Sequence, residues 1–228
     1  MSFNLIIQWW ENNTRMIQLL IEALGQTLNM VFSSGLIGFA IGIPLGVLLH
    51  ISKKNGLLEN SILNRVLGIV VNIGRSIPFI ILLVAIIPFT RFIVGSSIGT
   101  AAAIVPLTIG AIPFIARLVE GALLEVPNGL VEAAQAMGAS PLQIIIKVLL
   151  PEALPGIINA GIITLVTLVG YSAMAGTVGG GGLGDVGIRY GYQRFDGTVM
   201  FITVVMLVIL VQIIQSIGDH LVKRVDHR

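Results

Sequence analysis

Residues 128–151 read NGLVEAAQAMGASPLQIIIKVLLP, two helix patterns joined at a glycine. They lie between two long uncharged apolar runs, 92–116 and 157–178. Pro127 should break any helix arriving from the first run, because proline lacks an N–H and its ring collides with the preceding turn. Asn128 then serves as an N-cap, with Glu132 in the first turn favoured by the helix dipole. Leu130, Ala133, Ala134 and Met137 recur at helical spacing and share one apolar face. Gly138 suits the left-handed residue that ends such a helix. In Ser140-Pro141-Leu142-Gln143, Ser140 caps, Pro141 takes the first helical position and Gln143 completes a capping box. A second helix is expected from there to Leu150, stopped by Pro151. An apolar helix face projecting into water is a liability. Either another protein covers it, or the hairpin folds back on its own chain, and the pattern alone leaves both open.

Outward from this hairpin, the sequence is that of a membrane protein. Of 228 residues, 55% are hydrophobic and 11% charged, with mean hydropathy +0.98. Soluble domains carry about a quarter charged residues, so too few remain here to cover a water-facing surface. A membrane helix needs about 20 mostly apolar residues. Four stretches meet this without a charge: 28–49, 92–116, 157–178 and 197–218. A fifth, 66–89, is apolar except for Arg75. A charge at a membrane helix centre costs about 2.5–3.5 kcal/mol on insertion scales. Arg75 is therefore expected in the cytoplasmic half of its span, snorkelling, making a structural bond or gating a path. The resulting fold class is an all-α membrane protein of five spans, with the cytoplasmic two-helix loop at 117–152. No repeat or linker divides it, so residues 1–228 read as one domain.

Five spans put the termini on opposite sides. With the N-terminus outside, the cytoplasmic segments hold Lys53, Lys54, Arg65, Arg117, Lys147, Lys223, Arg224 and Arg228. The outer segments hold only Arg15, Arg91, Arg189 and Arg194. Basic excess marks the cytoplasmic side, so the N-terminus is expected outside and the C-terminus inside. Trp9, Trp10 and the polar Glu11-Asn12-Asn13 cluster fit the membrane boundary. The opening MSFNLIIQWWENNTR lacks the order of a secretory signal. Gly38, Gly42 and Gly46 put a small residue at every fourth position of the first span, where another helix can pack closely.

Several chemistries find no support. Gly179, Gly181 and Gly184 satisfy G-x-G-x-x-G, but that fingerprint needs a strand before it and a βαβ unit around it. Here it follows a membrane span and reads as an outer loop, continuing through Asp185 and Arg189 to Asp196. No G-x-x-x-x-G-K-[ST] occurs, so the chain has no P-loop for ATP. There are no cysteines, and His50, His220 and His227 lack metal-ligand spacing and read as interfacial or solvated, so no metal site and no catalytic residue is expected. A net charge of +2 without a basic stripe gives no reason to expect nucleic acid.

Glu132-Ala133-Ala134, Gly138, and Val148 with Leu150-Pro151 resemble the signature loop of permease subunits of ABC importers. That signature is Glu-Ala-Ala, three residues, Gly, nine residues, an aliphatic, one residue, Leu-Pro. Val148 stands where isoleucine is common. The resemblance implies a coupling helix, with Glu132, Ala133, Ala134, Met137, Gly138 and Pro151 in the loop that docks on a separate cytoplasmic ATPase. Three further stretches are similar to permeases of methionine importers: Arg75–Leu83 (RSIPFIILL), Val105–Gly110 (VPLTIG) and Thr167–Gly176 (TLVGYSAMAG), continued by Gly179 to Tyr192. This narrower likeness implies a five-helix homodimer in the bacterial inner membrane. It also implies an ATPase dimer that binds ATP and magnesium, and an extracytoplasmic methionine-binding lipoprotein.

Thr164, Thr167, Tyr171 and Met174 are spaced three, four and three residues apart, on one face of the fourth span. Given the implied dimer, that face is expected to line a solute path at the twofold axis. Met174 would supply a polarizable surround for a thioether, and the hydroxyls would satisfy a desolvated solute. Packing against neighbouring helices explains the same residues equally well. Two other readings stay in view: an ABC permease for another amino acid or small polar solute, and an ion-coupled secondary transporter. Coupling acids within the membrane would mark the latter, and every acidic residue falls outside the expected spans.

Overall fold

The computed structural model describes residues 14–225. The expectations for Trp9, Trp10, Glu11-Asn12-Asn13, His227 and Arg228 lie outside the described residues. Those described fold into helices, with no strand among them. In chain order they are α1 (Thr14–Ser52), α2 (Ser61–Ser76), α3 (Phe79–Ala85), α4 (Ile87–Val94), α5 (Thr100–Leu124) and α6 (Asn128–Ala136). Then come α7 (Pro141–Ile144), a π-helical turn at Ile145–Leu149, and α8 (Leu150–Glu152). The chain continues with α9 (Leu154–Gly176), α10 (Gly182–Val186), a second π-helical turn at Gly187–Tyr192, and α11 (Gly197–Val225).

Among the described residues, four helices, α1, α5, α9 and α11, are long and apolar enough to cross a membrane. A fifth span exists only if α2 and α3 count as one, and they meet at a bend of 99°. The expected continuous helix at 66–89 is thus broken. Pro78 removes an N–H and forces Ile77 into extended geometry (φ −80°, ψ 121°), which ends α2. A second break precedes α4, which starts with Pro88 in its first turn and ends at Gly95 in the left-handed region (φ 80°). The span expected from Phe92 therefore starts at Thr100, as α5.

Contacts divide the chain into two compact units. One gathers the described residues up to Ser34 with Phe79–Leu107 and Val166–Ile213. Its core holds Leu20, Ala23, Leu183, Val186 and Val199. The glycine-rich segment after α9 is tied down there. The Gly182 N–H donates to Gln26 Oε1 at 2.8 Å, and the Leu183 N–H to Thr27 Oγ1 at 2.9 Å. Gly181 and Gly182 both have φ 78°, which only glycine adopts freely. This segment is an anchored turn packed on α1, and among the described residues no strand precedes it.

The other unit holds Gly35–Pro78, Thr108–Leu165 and the chain from Ile214. Here the glycine ladder of α1 packs on α5. A Cβ at Gly46 would lie 2.6 Å from the Ala116 carbonyl oxygen and 2.8 Å from Val119 Cβ. At Gly42 it would lie 2.7 Å from Ile115. Close backbone approach is what the spacing of small residues suggested. Past the ladder, Asn64 Nδ2 donates to the Leu49 carbonyl at 2.7 Å and to Ser52 Oγ at 3.1 Å, fixing the turn into α2. His50 is buried, not solvated, and its Nδ1 has no hydrogen-bond partner.

Candidate functional site

The hairpin of α6 and α7 is built as its sequence suggests, with two corrections. Pro127 occupies the N-cap position, and Asn128 is the first helical residue, so no side chain caps that end and Glu132 lies beyond the first turn rather than in it. At the other end, the Gly138 N–H donates to Gln135 O at 2.9 Å and the Ala139 N–H to Ala134 O at 3.1 Å. With Gly138 at φ 81°, these two bonds form a Schellman cap. The capping box follows: Ser140 N–H donates to Gln143 Oε1 at 2.8 Å, and Gln143 N–H to Ser140 Oγ at 3.4 Å. The second correction concerns Pro151, which does not stop the second helix. The chain widens into the π turn before it, where the Leu150 N–H reaches back to Ile145 O. A wider turn absorbs a residue that lacks an N–H and crowds the previous turn.

The apolar face of the hairpin divides. Ala134 turns inward at 5% exposure, and Ile144 and Leu149 are the other deeply buried residues of the segment. Leu130, Met137, Leu142 and Ile146 face outward, Met137 at 82% exposure. Glu132 and Ala133 are exposed beside them, as are Gly138 and Pro151. One strip of the hairpin is therefore packed inward, and a second apolar strip, with Glu132, is left uncovered.

On α9 the four residues expected to share a path face separate by burial. Thr164 is 1% exposed, and its hydroxyl donates to the Ala160 carbonyl at 2.7 Å, so its hydrogen-bonding capacity is turned on its own helix. Thr167 and Tyr171 are half-buried, and Met174 is 45% exposed. The open stripe of the helix runs through Ile163, Thr167, Gly170 and Met174. Tyr171 stacks on Phe79, ring centroids 4.3 Å apart and planes within 3°. Phe79 is the first residue of α3, so this stack fixes the segment beyond the broken helix. Phe79 was not singled out in the sequence, where it reads as one more apolar residue.

Arg75 lies in the last turn of α2, immediately before the break. Asn72, Arg75, Ser76, Ile77 and Pro78 are all exposed. Arg117 of α5 donates to Asn72 Oδ1 at 2.7 Å and pairs with Glu120 at 2.6 Å. Ser76 Oγ donates to the Asn72 carbonyl at 2.8 Å. No acidic or hydrogen-bonding partner for Arg75 exists among the described residues.

Residues 42–227 match the family described as the inner membrane component of binding-protein-dependent transport systems. A probable D-methionine transport system permease protein of Vibrio cholerae is 72% identical over all 228 residues of both chains. The D-methionine transport system permease protein of Escherichia coli K12 is 63% identical over 161 residues, 71% of this chain and 74% of that one. An inward-facing crystal form of the MetNI methionine ABC transporter contains a chain that superposes with TM-score 0.93 at 59% identity. That match covers 94% of this chain and 99% of the other. An amino acid ABC transporter crystallised with histidines, at 17% identity and TM-score 0.77, shares the fold alone; it covers 98% of this chain and 99% of that one.

Proposed function

The chain belongs to the family of inner membrane components of binding-protein-dependent transport systems, and on that premise we propose that it is the permease of an ATP-driven methionine importer. The observation that carries this reading is the uncovered strip of the hairpin. Leu130, Met137, Leu142 and Ile146 stand exposed on a segment whose glycine joint is set and whose second helix starts in a capping box. A rigid apolar knob of this kind fits a groove on another protein. That protein is a cytoplasmic ATPase dimer, which holds the ATP and magnesium that this chain has no P-loop to bind. Glu132, Ala133, Met137 and Gly138 form the docking element, with exposed Pro151 at its far end and buried Ala134 seating it from behind.

The cargo is methionine, in L and D forms, delivered by an extracytoplasmic binding lipoprotein. Likeness to permeases named for D-methionine, over the full chain at 72% identity, supports that choice above other amino acids. Residues 1–228 act as one domain, and two copies enclose the path. Thr167, Tyr171 and Met174 line it, with Thr164 holding the helix behind them. The N-terminus lies outside and the C-terminus in the cytoplasm.

The test is reconstitution of the chain with its ATPase and binding protein in proteoliposomes. ATP-dependent uptake of labelled methionine is expected, with none driven by a proton or sodium gradient alone. Uptake that follows an ion gradient without ATP would remove the ATP-driven reading. Transport of another amino acid in preference to methionine would remove the cargo.

A further inference from the structure

Between its ends, the exposed surface of α2 is mostly apolar: Ile62, Val66, Ile69, Val70 and Ile73 face outward. Such a surface suits lipid or another apolar helix. Its last turn is different. Asn72, Arg75 and Ser76 are polar and exposed, and the helix then opens into extended backbone at Ile77-Pro78. At about 1.5 Å of rise per residue, Arg75 stands about 14 Å beyond Val66, the first apolar residue after Arg65. Along the helix, an exposed apolar surface thus separates Arg75 from the basic end at Arg65. Irregular backbone and unpaired charge do not face lipid within a hydrocarbon core. They persist where they line a water-filled cavity or are covered by protein. Arg117 shows how this polar band is otherwise organised, since Glu120 neutralises it and Asn72 holds it. Arg75 has no such neutralising partner among the described residues.

We propose that Arg75, flanked by Ser76 and Asn72 at the broken end of α2, is the subsite of the solute path that takes the carboxylate of the transported amino acid. A guanidinium pairs with a carboxylate through two parallel N–H donors, a geometry lysine lacks. The break supplies what the subsite needs: it ends the helix ladder inside an apolar stretch and leaves the side chains of its last turn exposed. The inference rests on the importer reading, but its test does not depend on delivery by a binding protein.

The chain has no cysteine, so Ser76→Cys places one thiol next to Arg75. The permease–ATPase complex carrying it is treated with anionic and cationic methanethiosulfonate reagents of similar size. The anionic reagent is expected to react about tenfold faster, as a focused positive charge raises local anion concentration. Adding Arg75→Gln should erase that preference, and Arg75→Lys should keep it. L-methionine at millimolar concentration should slow labelling, and methioninamide, which lacks the carboxylate, should not. An unreactive thiol in an assembled complex overturns the proposal, because the break is then packed against the second copy. Equal rates for the two reagents, or equal protection by methionine and its amide, overturn it as well. Should Arg75→Gln fail to assemble, the Ser76→Cys and Arg75→Lys rates decide alone. Protection by another amino acid but not by methionine keeps the subsite and removes the methionine reading.

Discussion

Replacing Gly138 with valine isolates a backbone effect, because the joint has room around it. A Cβ built at Gly138 meets nothing within 4 Å, so side-chain bulk is not at issue. The residue sits at φ 81°, where an L-residue pays roughly 1–2 kcal/mol and a β-branched one lies at or above the top of that range. At about 2 kcal/mol the equilibrium between formed and unformed joint shifts about 30-fold. The loss falls on the two Schellman bonds from Gly138 and Ala139, and through them on the angle between α6 and α7. The assay is uptake per ATP hydrolysed in the reconstituted complex, with ATPase retention on purification as the readout of docking. Asparagine, which tolerates left-handed geometry, should behave nearly as glycine. Alanine should be intermediate and valine the worst, with leucine milder than valine despite its size. Losses that follow side-chain volume, or a well-expressed Gly138→Val complex with normal coupling, would falsify the joint.

Three further outcomes are expected from the packing and topology. Gly46→Ala should lower thermal stability in detergent by about 1–3 kcal/mol, since its Cβ would press on the Ala116 carbonyl and Val119, whereas Gly25→Ala, with open space, should not; equal effects would remove the helix contact as the cause. Cysteines at Ser96 and Thr177 should label from outside intact cells and one at Asn55 should not, and the reverse pattern would place the hairpin on the wrong side of the membrane. Cysteine at Met174 should cross-link between two copies, with thiol reagents at Thr167 blocking uptake; no cross-link and no block in a transporting complex would move the path to another helix.

The hairpin was legible because its signals are local. A capping box needs only Ser140 and Gln143 three residues apart, and a Schellman cap needs only a glycine after the last helical turn. The glycine ladder was legible for a similar reason, as a fixed spacing on one helix face. The broken second span was not, because hydropathy averaged over 66–89 records what solvent a segment tolerates, not whether its backbone is continuous. Pro78 was in plain view, and only its effect on Ile77 turns an apolar run into two helices at 99°. Pro151 misled in the opposite direction, because a π turn let the helix pass through it. The residues of α9 separated for a third reason. Periodicity puts Thr164, Thr167, Tyr171 and Met174 on one face, but a face about 100° wide has an inner and an outer edge. Which edge is covered depends on partners from distant sequence, such as Phe79 against Tyr171. Arg75 joins these cases. A charge in an apolar span and a proline three residues later both break local rules, and here they fall on the same turn. When two such conflicts coincide and the fold leaves them exposed, a functional constraint accounts for both more economically than two separate structural ones.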